Sequence, residues 1–75
     1  MIKQKGAAAL YYINKVAQAT GEHEVHKSGC AWMPNLENRM GLGYFSGCAD
    51  ALKKAREYYS NVDGYKHCCP ACHKR

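Results

Sequence analysis

Two short clusters of soft ligands constrain this chain more than anything else in it. Cys69-Pro70-Ala71-Cys72 lies near the C-terminus, and His26-Lys27-Ser28-Gly29-Cys30 lies far upstream. The chain has 75 residues. Domains this small bury only about 60% of the surface that the unfolded chain exposes, and they commonly lean on a metal, disulfides or a partner. Two pairs of sulfur and nitrogen donors are what a tetrahedral Zn²⁺ requires. The expectation is one small domain tied together by a metal.

Spacing gives the expected ligands. Cys-x-x-Cys places two thiolates on one turn, close enough to reach a single ion at ~2.3 Å, and Pro70 fixes φ at the first intervening position. His26 and Cys30 form a second pair if a strand ends at His26 and the chain turns through Ser28-Gly29. The expected Zn²⁺ site is therefore His26, Cys30, Cys69 and Cys72, closed and four-coordinate, hence structural. Alternatives stay open: Cys68 in place of Cys69, and a nitrogen from His73, His67 or His23. Cys48 falls on the apolar stripe of a helix and reads as a core cysteine.

The five cysteines cannot all pair within one chain. Cys68, Cys69 and Cys72 crowd together, whereas a disulfide framework spreads its cysteines to close loops. This favours metal ligands in a reducing compartment, and so a cytoplasmic protein. The competing arrangement is free thiols plus one disulfide. A thioredoxin-like role for Cys69 to Cys72 is disfavoured, because that motif opens a helix and only three residues follow Cys72 here. Lys3, Lys5, the apolar run from Ala7 to Ile13 and Ala17-Gln18-Ala19 imitate a signal peptide, but Asn14, Lys15 and two tyrosines interrupt it. No run approaches the ~18 apolar residues of a membrane span.

The clearest element is a helix from Gly47 to Tyr59. Cys48, Ala51, Leu52, Ala55, Tyr58 and Tyr59 lie on one face, with Ser46 as the cap and Asp50 paired to Lys54. Leu10–Val16 and His23–Lys27 form a hairpin across the turn at Ala19 to Glu22, and Leu42–Phe45 is a third strand. Residues 1–9 form a flexible tail, and residues 10–75 form the domain. Ala31 to Gly41 is a loop. Tyr65 to Cys72 returns beside the hairpin, bringing its cysteines to His26 and Cys30. The fold class is α+β, a small antiparallel sheet packed on one helix.

These residues resemble a family of short, uncharacterised, Cys/His-rich bacterial proteins. The likeness runs from Tyr11-Tyr12-Ile13-Asn14-Lys15 through Gly21 to His26, Cys30, Pro34, Asn38-Arg39, Leu42 to Phe45, Cys48 and Ala51, and on to Gly64 and Cys72-His73. It implies no activity. In that family a cysteine often follows the glycine at Gly64, and this chain has Tyr65 there. His26/Cys30, the strand, the helix and Gly64-Tyr65-Lys66-His67-Cys68 are also similar, more loosely, to the metal-binding segment of Ada-type DNA repair proteins and to C-terminal modules of DNA-entry nucleases. That similarity implies a nucleic-acid association but no alkyl transfer. The departure is one extra residue between Cys68 and Cys72.

Lys and Arg outnumber Asp and Glu by 11 to 6, for a formal net charge of +5, which suits an acidic partner. Lys15, Lys27 and Lys66 would line one edge as a phosphate-contacting strip, against the alternative of scattered surface charge. Trp32 is either a lid over the zinc site and core or a platform for a base. His23-Glu24-Val25-His26 lacks one residue of the zinc-protease motif, and its histidines would point to opposite faces of a strand. The chain carries no paired acid and base, oriented nucleophile or phosphate loop. The expected function is a non-enzymatic structural-zinc module that binds nucleic acid, as a monomer or small homo-oligomer without membrane contact. The alternatives are a protein-interaction module or inhibitor encoded by a mobile element, and a thiol redox protein.

Overall fold

A computed structural model describes residues 8–74. Strand β1 (Ala9–Asn14) pairs antiparallel with β2 (His23–Lys27), and on its other side with β3 (Arg39–Phe45). The hairpin turn closes with Gln18 N–H donating to Glu22 O and Gly21 N–H to Gln18 O. Alternation in β1 turns Tyr11 and Ile13 inward, as period-2 patterning requires.

Helix α1 (Cys48–Ala55) follows β3 and crosses the sheet. Its Ala51, Leu52 and Ala55 close the core over Tyr11, Ile13, Val25 and Leu42. Beyond the helix, β4 (Val62–Gly64) joins the free edge of β2 in parallel, giving the order β3-β1-β2-β4. The sheet is thus four-stranded and mixed, where an antiparallel sheet was expected. The hairpin and the single packed helix are as expected. The third strand starts at Arg39 instead of Leu42, drawing the end of the expected Ala31 to Gly41 loop into the β1 ladder, and β1 stops at Asn14, short of Val16.

Four further local expectations are corrected. The helix ends at Ala55 instead of continuing to Tyr59. Glu57 N–H and Tyr58 N–H donate to carbonyls three residues back, and this tightened turn sets the Tyr59 ring on His23, centroids 3.6 Å apart. The helix N-cap is Gly47, with no side-chain cap from Ser46. Lys54 pairs with Glu57 at 3.0 Å, in place of the expected Asp50. The expected tail lies outside the described residues as far as residue 7, and Ala9 already belongs to β1.

Two glycines matter to this arrangement. In the β1–β3 ladder Tyr11 pairs with Gly43 and Tyr12 with Gly41, leaving Leu42 as an extra residue. Gly43 absorbs that bulge at φ +118°. At Gly64 a Cβ would meet the Cys72 Cβ at 2.8 Å and the Cys69 carbonyl oxygen at 2.9 Å. β4 and the C-terminal turn therefore touch backbone to backbone. That close packing fixes where the cysteines of the turn can point.

Candidate metal centre

Three elements converge at one end of the β2–β4 edge. Alternation along β2 sends Val25 into the helix-covered core and His26 to the other face. After Lys27 the chain turns through Gly29, at φ +91°, with Cys30 N–H donating to Lys27 O. Beyond β4, Tyr65 N–H donates to Val25 O and Cys69 N–H to Tyr65 O. This folds Tyr65 to Cys69 back over the end of β2.

The ligand atoms of His26, Cys30 and Cys68 consequently lie within 4.8 Å of one another. Cys68 Sγ is 3.8 Å from His26 Nδ1 and accepts from Lys27 N–H at 3.4 Å. This group is close enough to hold a metal ion, and its donors are the sulfur and nitrogen that Zn²⁺ prefers. His26 is only 2% exposed, and the Tyr65 ring stacks on it with centroids 4.4 Å apart. Burial lowers the pKa of His26 to about 4, so its imidazole is neutral, the form that ligates, at ordinary pH. Burial foremost, with the Cys30 side-chain hydrogen bond, pushes the Cys68 thiol up to about 12, against the Lys27 N–H that favours the thiolate. A divalent cation supplies the positive charge that a thiolate needs here.

The expected ligand set of His26, Cys30, Cys69 and Cys72 is therefore corrected in its second half. Cys72 forms a disulfide with Cys48 and so offers no thiolate. Its turn, Pro70–Cys72, runs against α1 and β4. The Cys69 side chain is buried in the hydrophobic core. It reaches Cys68 by a side-chain hydrogen bond, and burial raises its pKa. The rival Cys68 is the cysteine that stands with His26 and Cys30. His73 is elsewhere too, its Nδ1 2.9 Å from Gly64 O and 3.4 Å from Asp63 Oδ2. Cys48 is packed against the core as anticipated, but bonded and not free. The expectation of cytoplasmic residence rested on reduced cysteines, and this bond withdraws that support for two of them.

The proposed basic strip does not form. Lys27 and Trp32 line one groove of about 340 Å³ together with Cys30, His67 and Cys68. Lys66 lines a different groove beside Glu22 and Glu24, and its charge acts on the Glu24 carboxyl. Burial, then the neighbouring Asp63, raises the pKa of that carboxyl. Lys15 sits at the far end of the hairpin, where its N–H donates to Asn38 O. It lies about 13 Å along the strands from Lys27. Trp32 is 56% exposed, which rules out a buried lid, and it stacks on His67 with centroids 4.3 Å apart.

Tyr65 and His67 as ring partners of the site went unrecognised in the sequence. Both sit on the turn after β4 that Cys69 N–H closes on Tyr65 O, and no local pattern announces them. Among the described residues no helix is long and apolar enough to cross a membrane. No family model, curated protein or solved structure matches the chain.

Proposed function

We propose that this chain is a small, non-catalytic binding module. In it, His26, Cys30 and Cys68 hold a Zn²⁺ that pins the C-terminal turn to β2, and the adjoining groove engages nucleic acid. The observation that carries the metal half is the convergence of three soft donors, two of them thiols, within 4.8 Å. A tiny domain gains folding free energy directly from such an ion.

Support for the partner comes from the groove beside the ion. The Trp32 and His67 rings are stacked next to Lys27 on a chain of net charge +5. Exposed rings beside a cation suit a single-stranded base and its phosphate, each stacked base contributing about 1–3 kcal/mol. The likeness of His26/Cys30 and Gly64 to Cys68 to the metal-binding segment of Ada-type proteins agrees with this reading.

Native and denaturing mass spectrometry test the metal. One zinc per chain should be lost on denaturation, and neither Cys30→Ser nor Cys68→Ser should carry it. A metal-free native chain overturns the site. Trp32 fluorescence tests the partner. A single-stranded oligonucleotide should quench it at low salt, with an affinity that falls linearly in log–log against salt concentration. An oligonucleotide that leaves Trp32 unquenched at low salt overturns the nucleic-acid half. A protein partner captured after nuclease treatment would then mark the chain as an interaction module.

A further inference from the structure

Zinc sites with four protein donors are closed, whereas three donors leave a position for a water or another ligand. Among the described residues the donor group comprises His26, Cys30 and Cys68 alone. Cys69, the nearest further thiol, hydrogen-bonds Cys68 but packs into the core and lines neither groove. His26 is buried under the Tyr65 ring. The two thiols, by contrast, both line the groove shared with Lys27, Trp32 and His67. The protein therefore closes the site on the imidazole side and opens it on the sulfur side.

The geometry points to an exchangeable fourth coordination position on the bound ion, facing this groove and taking a small anionic donor from outside the chain. The inference rests on the zinc site proposed above. Two thiolates and a neutral imidazole leave a divalent ion with no net charge to repel an anion, and Lys27 adds a positive charge at the rim. No carboxylate lines this groove. The glutamates sit in the other one. A closed structural site would have none of this: its ion would be sealed, and the groove would be a surface feature only.

Cobalt(II) is the probe, loaded without added thiol so that the Cys48–Cys72 bond is kept. A thiolate-to-cobalt charge-transfer band of one equivalent reports the site itself. Titration with sodium azide should then shift the visible d–d bands saturably. Lys27→Gln should keep the cobalt spectrum and weaken azide about two- to fivefold, the size of a surface charge effect. A cobalt spectrum that azide leaves unchanged overturns the open position while the metal site stands. In that case Cys69→Ser and His67→Ala, each read by the same bands, identify the protein donor that closes it. Absence of the charge-transfer band overturns both the site and this inference.

Discussion

Replacing Cys48 and Cys72 together by alanine separates two roles that one cysteine motif invites one to merge. The bond between them closes a loop across a sequence separation of 24. Loop-closure entropy for about 25 residues corresponds to about 3.5 kcal/mol at 25 °C. Total stability of a domain this size is only several kcal/mol, so the variant should sit close to its unfolding threshold. Unfolding entropy of about 2.1 cal/mol/K per residue converts that loss into a fall of roughly 20 °C in Tm. Thermal unfolding followed by circular dichroism, in metal-loaded protein, measures it. Native mass spectrometry on the same sample should still find one zinc, because neither cysteine belongs to the His26, Cys30, Cys68 group. Wild-type protein treated with a non-thiol reductant should match the variant in Tm. A fall below about 5 °C would refute the cross-link argument. Loss of zinc with the fold retained, while reduced wild-type protein keeps it, would show that Cys72 is a ligand after all.

Other perturbations address the site and its support. Cys69→Ser should keep zinc while lowering Tm, since it puts a hydroxyl into the core beside Cys68 without removing a donor; loss of the metal instead would make Cys69 a ligand. In metal-free protein His26 has a folded pKa of about 4 against an unfolded value of 6.5. The unfolded state thus binds the extra proton between these values, and stability is lost as pH falls from about 6.5 to 4. The loss should be on the order of 3 kcal/mol, and denaturant titrations across that range should show a flatter profile for His26→Gln. An equal slope in the variant would assign the acid sensitivity elsewhere. Gly64→Ala drives a Cβ to 2.8 Å from the Cys72 Cβ and 2.9 Å from the Cys69 carbonyl oxygen. It should cost about 1–3 kcal/mol and weaken zinc by displacing the turn that carries Cys68. An unchanged Tm and zinc affinity would show that the turn relaxes freely.

The hairpin was legible because Tyr11, Tyr12 and Ile13 are strand formers and Ala19 to Glu22 reads as a turn before His23 to His26. The helix was legible because Ala51, Leu52 and Ala55 keep a 3.6-residue period. β4 was not, since Val62-Asp63-Gly64 has the composition of a turn. It becomes a strand by pairing with the edge of β2. Asp63 Oδ1 accepts from Gly64 N–H at 3.0 Å and from Lys74 N–H at 2.9 Å, with His73 Nδ1 3.4 Å from Oδ2. Lys74, His73 and the β2 edge are remote in sequence, so no local pattern announces them. The site divides in the same way. His26 and Cys30 follow from a strand and the turn that ends it, and both were identified. Cys-x-x-Cys spacing says that two sulfurs can approach one ion, but it does not say which way each side chain faces once the segment curls.

Direction, not spacing, decides what Cys68, Cys69 and Cys72 do. The turn closed by Cys69 N–H on Tyr65 O sets Cys68 toward His26 and Cys30, while Cys69 enters the core beside it. The turn Pro70–Cys72 then carries Cys72 round to α1 and its bond with Cys48. Five residues are thereby anchored on three sides: to the end of β2 through Cys68, to the hydrophobic core through Cys69, and to the helix through Cys72. Neither cross-link duplicates the other. The disulfide fixes the segment to α1 whether or not an ion is bound, so the donor triangle is largely assembled before metal arrives. The ion then has less chain entropy to offset, which raises its affinity and with it the stability it adds to the fold. Reduction of the Cys48–Cys72 bond releases one anchor of the turn, and zinc affinity should fall with it even though neither cysteine touches the ion. Competition with a chromophoric chelator, before and after reduction by a phosphine, measures that coupling. Equal affinities in the two states would mean that the β2 contacts alone hold Cys68 in place.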